Sequence, residues 1–222
     1  MQALERQVGS TDWITIILVA CIVLLAIIRN RYPQRFGEFL SLLTSNKFMM
    51  FRGKENNAFH PFNILLFLVN VAGVSLFLLI IYNFFAGEPQ DLSPAILYVR
   101  IATGYTCFVL LKFGIEKIIA NIFGLDQQID EYLFKKLSYR NFLALFVLIV
   151  VVFLTYAVSP TRNILYGLLL FLLLSNGLSL VMVIKQNQRL ISQQLFYFIL
   201  YLCALEFAPY IILYKVFTIN RG

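Results

Sequence analysis

One carboxylate lies in the middle of a long apolar run near the end of the chain. Glu206 stands in the stretch 201–210, eleven residues before Phe217 at the end of that run. At about 1.5 Å of rise per residue, the carboxyl would lie near the centre of a spanning helix, where a charge costs roughly 2.5 kcal/mol or more to insert. Such a carboxyl is suited to exchanging a proton or to holding a cation or a cationic headgroup.

Two further residues extend the polar chemistry around Glu206. Pro209 lacks a backbone N–H, which frees the carbonyl near position 205 and leaves an acceptor beside the carboxyl. Arg100 lies five residues into another apolar run, about a turn and a half above Glu206 in depth. Its guanidinium is long enough to reach the carboxylate or to extend to the membrane surface. The spacing allows an ion pair without requiring one.

Other polar side chains predict a polar level at a similar depth in several helices. Small residues allow helices to approach closely, and amides form hydrogen bonds across helices in lipid. Three interpretations remain open: buried groups that hold the bundle together, a site for a proton, ion or lipid headgroup, and contact with a partner subunit. The candidate residues are Asn70, Arg100, Thr106, Asn176 and Glu206, with Pro209 as a helix break.

The sequence contains no pattern typical of a metal site or of a known catalytic centre. His60 is the only histidine, and the three cysteines lie inside apolar runs without paired spacing. P-loop, HExxH and GxSxG motifs are all absent. Lys112 and Glu116, four residues apart, are most simply an intrahelical pair. We therefore expect no metal and no cofactor, and we favour a role without catalysis.

The composition predicts that lipid surrounds the helices that position these residues. Of the 222 residues, 60% are apolar and only 13% are charged. A soluble domain of this size has too much surface to hide so large an apolar fraction. In a hydrocarbon layer about 30 Å thick, a helix of roughly 20 apolar residues satisfies its own backbone hydrogen bonds. The expected fold is an all-α polytopic transmembrane bundle.

Six apolar runs are predicted to cross the membrane within one domain, residues 1–222. Between the first two runs, residues 33–51 place Phe36 and Phe39 at helical spacing among charged residues. This pattern predicts an amphipathic helix in the membrane interface, with packing on the bundle as the equal alternative. The predicted spans are 13–28, 61–85, 95–114, 142–158, 164–184 and 195–217.

The basic residues predict an orientation. With six spans, twelve Lys and Arg fall on one side and four on the other, so the richer side should be cytoplasmic and both termini periplasmic. The net charge of +7 then reflects orientation signals and contacts with anionic lipids, and we expect no nucleic-acid partner. The twelve are Arg29, Arg31, Arg35, Lys47, Arg52, Lys54, Lys117, Lys135, Lys136, Arg140, Lys185 and Arg189.

The closing apolar run resembles a known family at one signature. Residues 201–209, followed by Leu213 and Lys215, are similar to the C-terminal signature of a polytopic family of Bacteroidota, domain of unknown function 4271. Phe207 stands where that signature favours an aliphatic residue. The resemblance implies the inner membrane of a diderm bacterium, with a periplasmic C-terminus. It highlights Glu206 and Pro209 but implies no activity.

Two functional expectations follow from these features. The first is a non-enzymatic membrane subunit or scaffold in envelope assembly or export, which associates with protein partners or with copies of itself. It rests on the short loops, the missing catalytic motifs and the polar residues suited to helix association. The second is a lipid-headgroup-binding or proton-coupled protein centred on Glu206, with Arg100 as the anion-binding partner.

Overall fold

The computed structural model of the protein describes residues 12–40, 60–87, 93–122, 126–157 and 160–186. All regular secondary structure in these residues is α-helical, which confirms the predicted all-α fold. We number the helices in chain order. They are α1 Asp12–Arg31, α2 Pro33–Leu40, α3 Pro61–Ala86, α4 Pro94–Ile122, α5 Asp126–Tyr156 and α6 Arg162–Gln186.

Four of these helices are long and apolar enough to cross a membrane. The qualifying stretches are Asp12–Arg31, Pro61–Phe85, Pro94–Ile118 and Leu133–Tyr156. In α6 the described apolar stretch is shorter, Arg162–Ser175. The sixth predicted span, 195–217, lies outside the described residues together with Glu206 and Pro209.

Helix α3 has defined caps at both ends. At its start, Pro61 occupies the first turn and the Nδ1 atom of His60 accepts a hydrogen bond from the backbone N–H of Phe62 at 3.2 Å. Proline is tolerated at this position because its missing N–H would have no helical partner. At its end, Gly87 has a φ of +76°, which favours glycine, and its N–H binds the carbonyl of Asn83. These caps fix where the span begins and ends.

Helix α5 is longer than the apolar run that it contains. The sequence suggests a polar connection over residues 126–141 followed by a span over 142–158, whereas one unbroken helix covers Asp126–Tyr156. No glycine or proline interrupts this stretch, and its Glu, Lys and Arg residues are good helix formers. At 31 residues, α5 is about 46 Å long and exceeds the hydrocarbon thickness of about 30 Å. About 16 Å of α5, at its polar N-terminal end, would therefore extend beyond such a layer.

Helix α3 lies at the centre of the described bundle, where it contacts α1, α4 and α5. It approaches α5 closely at Gly73, where an added Cβ would lie 3.4 Å from Cδ1 of Leu148 and 3.8 Å from the carbonyl oxygen of Ala144. Small residues permit such approaches between membrane helices. The other faces of α1, α4 and α6 carry exposed aliphatic side chains, as expected for helices that face lipid.

Helix α2 packs on one end of this bundle. Phe39 is buried, with its ring centroid 6.0 Å from that of Phe62 and 5.9 Å from that of Phe142, both in edge-to-face geometry. Such aromatic pairs add stability beyond the area that they bury. Of the predicted interfacial helix 33–51, the described part therefore attaches to the bundle through Phe39, while Leu40 beside it is exposed. The remainder lies outside the described residues.

Candidate functional site

Asn70 joins three helices in the middle of the bundle. Its buried side chain on α3 donates a hydrogen bond from Nδ2 to the backbone carbonyl of Arg140 on α5, at 3.1 Å. The hydroxyl of Tyr105 on α4 donates to Oδ1 of the same amide at 2.9 Å. Both ends of the amide are thus used in contacts between helices, which is the arrangement that holds polar groups in lipid.

Tyr105 is a member of this polar level that the sequence did not single out. The neighbouring candidate, Thr106, donates its hydroxyl to the carbonyl of Ala102 within α4, at 2.7 Å. Adjacent helical residues point about 100° apart, so the two hydroxyls cannot face the same partner. Because tyrosine is common at membrane interfaces, the residue type alone does not predict a role for Tyr105 deep in the bundle. Predicting the role of Tyr105 requires knowing which residues of neighbouring helices face each other, and the sequence does not give this.

The other predicted site residues are not assembled with Asn70 in the described structure. Arg100 is exposed on α4, more than a turn from Tyr105. Asn176 lies in α6, and its side chain is outside the described set, as are Glu206 and Pro209 entirely. An ion pair between Arg100 and Glu206 therefore stays a prediction, as does a polar level that includes Asn176.

Two ion pairs connect α4 to α5 toward the end of the bundle predicted to be cytoplasmic. Lys136 Nζ lies 2.6 Å from Glu116 Oε1, with side chains only 19% and 10% exposed. Lys117 Nζ lies 3.0 Å from Asp130 Oδ1, with exposures of 43% and 47%. Glu116 thus pairs across helices, a contact that the intrahelical interpretation with Lys112 did not include. The partly buried pair is the stronger restraint, because surface pairs contribute little.

A recess of about 100 Å³ lies between α3, α4 and α5 near these ion pairs. Its lining is almost entirely apolar, and it includes Ile64 and Leu110, which are 46% and 54% exposed. Exposed lining residues mean that the recess opens on the outer face of the bundle, where lipid chains would lie. A smaller depression of about 20 Å³ adjoins it on the side of Glu116 and Lys136.

Arg140 stands where the two depressions meet, since it lines both. Its guanidinium carbon lies 5.6 Å from the ring centroid of Phe67, within the range of a cation–π interaction. The same residue receives the hydrogen bond from Asn70 through its carbonyl. Arg140 therefore links the hydrogen bond of Asn70 to the lining of the recess.

Two buried polar side chains have no hydrogen-bond partner among the described residues. They are Ser75, through its hydroxyl, and Asn141, through both atoms of its amide. An unpaired buried amide costs free energy, so such groups are uncommon in folded proteins. Neither was a sequence candidate in its own right. The described residues also contain no group of three or more His, Cys, Asp or Glu that could hold a metal ion.

The comparisons with known proteins bear on the whole chain. The family model described as Domain of unknown function (DUF4271) matches residues 14–217 of the 222. The chain belongs to this family. The match extends well beyond the C-terminal signature and covers every described helix except the first two residues of α1. Neither the curated proteins nor the solved structures give a match.

Family membership and the four long apolar helices together fit an integral membrane protein of unassigned activity. The family description names no reaction, ligand or partner. A more specific function must therefore be inferred from the contacts of the candidate site.

Proposed function

We propose that this protein is a non-enzymatic membrane subunit or scaffold that serves assembly or export in the bacterial cell envelope. Asn70 carries the proposal, because both ends of its amide form bonds between helices, one with Tyr105 and one with the carbonyl of Arg140. A polar group committed at both ends in this way stabilises a helix arrangement and is not presented to a substrate.

The contacts around Asn70 support the same role. Thr106 returns its hydroxyl to its own helix, and Glu116 and Lys136 link α4 to α5. The Glu116–Lys136 pair holds α4 against α5, as a scaffold requires, and the Thr106 hydroxyl is already satisfied within its own helix. The envelope setting rests on the resemblance to a Bacteroidota family and on the predicted inner-membrane orientation.

Copurification tests the proposal. The tagged chain, expressed at its native level and extracted in mild detergent, should retain a defined membrane partner in fixed stoichiometry. An unrelated polytopic protein with the same tag and abundance is the control. In a strain that lacks the chain, the level of that partner in the membrane should fall. A monodisperse, partner-free protein whose deletion leaves every envelope complex intact would contradict the proposal.

The competing proposal is a proton-coupled or headgroup-binding protein centred on Glu206. It draws on the carboxylate at the predicted midplane of span 195–217. Glu206→Gln separates the two functions, because it removes the titratable group and keeps its shape. A coupled protein would lose activity in the variant while retaining its partner and its abundance. A scaffold would keep its function or would lose stability.

A further inference from the structure

We propose that the last predicted span, residues 195–217, packs antiparallel on the outward face of α4, where the carboxylate of Glu206 pairs with the guanidinium of Arg100. This segment lies outside the described residues, so the proposal rests on the face that α4 leaves open, on the charges and on the length of the chain. It concerns the assembly of the bundle itself and does not depend on the proposed function.

Arg100 places a positive charge on the outward face of α4. It lies six residues from the start of the helix at Pro94, which is about 9 Å. The side chain is exposed, and no described residue forms a hydrogen bond or an ion pair with it. Of the described spans, α4 alone exposes a charge more than a turn inside its ends. A charged group at this depth in hydrocarbon is costly and is normally paired, so we expect a counter-ion from a further segment.

Glu206 is the counter-ion that the chain supplies. Of its eleven acidic residues, Glu206 alone falls inside a predicted span. It lies eleven residues before Phe217, which is about 16 Å from the predicted periplasmic end, whereas Arg100 lies about 9 Å from that end. The long arginine side chain and the carboxylate together can span the difference of about 7 Å. Charge and depth therefore both match.

The outward face of α4 has room for a helix at the depth of Glu206. Its exposed residues follow helical spacing and are Arg100, Gly104, Cys107 and Leu111. Gly104 lies ten residues from the start of α4, or about 15 Å, and an added Cβ there meets nothing within 4 Å. Small residues allow membrane helices to approach closely. The face is therefore open where Glu206 would arrive.

Antiparallel packing brings two native cysteines to the same depth. Cys107 lies thirteen residues into α4, and Cys203 lies fourteen residues before the end of the segment 195–217, which is about 20 Å and about 21 Å. Three residues separate Cys203 from Glu206, so both lie on one face of a helix. Seven residues separate Arg100 from Cys107, with the same consequence. The charged pair and the two cysteines then meet along one contact.

The connection 187–194 is long enough for this packing. Both α4 and α6 contact α5, and packed helices lie about 8–10 Å apart, so the axes of α4 and α6 are at most about 20 Å apart there. Eight extended residues span up to about 28 Å. The chain can therefore leave α6 at Gln186 and enter the membrane again beside α4.

The charge of Arg100 argues against a second copy of α4 on this face. Copies in one membrane share an orientation, so two contacting α4 helices would place both guanidinium groups at the same depth. Like charges repel at close range, and the low dielectric constant of hydrocarbon strengthens this repulsion. A segment that carries a carboxylate fits the face instead.

Disulfide formation in native membranes tests the packing. The full-length protein carries Cys21→Ala and a protease site in the connection 187–194, and an oxidant is added before the protease. A disulfide requires two Cα atoms within about 7 Å, so Cys107 and Cys203 should link only if the segment packs on α4. We expect the two fragments to stay joined in most molecules and to separate on reduction.

Two matched variants place the cysteine at a similar depth on other outward faces. Each replaces Cys107 by alanine and keeps Cys203. Val23→Cys alters a position on α1 that is 51% exposed, eleven residues from the start of that helix. Leu174→Cys alters a position on α6 that is 59% exposed, twelve residues from its start. Both positions are exposed, so both variants should fold, and we expect their fragments to separate without reduction.

Charge variants test the ion pair with the same readout. Arg100→Gln and Glu206→Gln should each lower the rate of linkage about threefold, the factor expected for one interhelical polar contact in lipid. The double variant should lower it no further, because a pair is lost only once, whereas independent effects would multiply to about ninefold. Lys117→Gln, which removes a charge from the same helix outside this face, is the control and should have no effect.

Different results would overturn different parts of the proposal. Absence of a link to Cys107, in protein that reaches the membrane at its normal level, would contradict the packing, as would equal linkage of Cys203 to either control position. A linked product that runs as a dimer before proteolysis would assign the face to a second copy of the chain. Independent effects in the double variant would exclude the ion pair. An unchanged rate in Arg100→Gln would mean that the guanidinium extends to the headgroups.

Discussion

Asn70 joins three of the described helices through its side chain. One side chain of α3 reaches both α4 and α5, which are also joined to each other by the ion pairs of Glu116 and Asp130. Interhelical hydrogen bonds in lipid contribute on average about 0.6 kcal/mol each and at most about 1.7. The bond from Tyr105 also fixes the rotation of α4 about its own axis, because it requires Tyr105 to face α3.

Asn70→Ala should lower the free energy of unfolding by about 1–2 kcal/mol, because both interhelical hydrogen bonds of the amide are lost. Tyr105→Phe removes one of the bonds and should cost about half as much. Unfolding in mixed micelles measures both. Asn163→Ala, at an exposed position in α6, is the matched control and should be neutral. Equal effects at positions 70 and 163 would show that the bridge does not contribute.

The two ion pairs between α4 and α5 should differ in strength. Glu116→Gln leaves the ammonium of Lys136 in a site where that side chain is only 19% exposed, whereas Asp130→Asn affects a pair that water already solvates. We expect Glu116→Gln to destabilise more, by a margin of at least about 1 kcal/mol. Unfolding at low and high salt measures the difference. If added salt reduces both effects equally, the Glu116 pair is solvated like the other.

At the scale of the elements, the close approach of α3 to α5 depends on Gly73. A Cβ at this position meets Leu148 and Ala144 at ordinary contact distance, so a larger side chain would have to displace them. The apolar runs predicted where α3 and α5 lie, and the small residues near position 73 indicated a face toward protein. The partner helix and the distance follow only from the packed structure.

Gly73→Ala should change stability by less than about 0.5 kcal/mol, and Gly73→Leu should destabilise by about 1–3 kcal/mol because it overpacks the contact. Gly167→Leu is the control, since an added Cβ there meets nothing within 4 Å. Thermal unfolding in detergent gives the order of the three variants. Tolerance of leucine at position 73 would mean that α3 and α5 are further apart than described.

For the whole molecule, the distribution of Lys and Arg predicts the orientation. Residues before α3 and residues at the start of α6 lie on opposite sides of the membrane if α3, α4 and α5 each cross it once. The count of twelve basic residues against four then assigns the side near α2 to the cytoplasm.

Cysteine labelling tests this orientation. In a background without Cys21, Cys107 and Cys203, Asn163→Cys should react with a membrane-impermeant maleimide in spheroplasts. Gln34→Cys should react only after the inner membrane is permeabilised. Both positions are exposed, so each should react fully in detergent, which is the control. The reverse pattern would invert the predicted orientation, and labelling of both in spheroplasts would contradict the number of crossings between them.

The sequence alone determined the class of the protein and the approximate location of the four described helices that are long and apolar enough to cross a membrane. Composition and run length suffice for this, because hydrocarbon about 30 Å thick accepts few other structures. The continuity of α5 across residues 126–141 was open to sequence reasoning, since no glycine or proline interrupts it. The polarity of this stretch favoured a connection between helices. Polarity, however, marks where a helix leaves the hydrocarbon and does not mark where the helix ends.

Only the tertiary structure decided which side chains meet. Tyr105 rather than Thr106 faces Asn70, Glu116 reaches Lys136 on the next helix, and Arg140 joins the polar contact to the recess. Each of these contacts depends on the rotation and depth of one helix relative to another. A periodic apolar run does not specify that rotation when lipid accepts every apolar face, so helix packing has to set it.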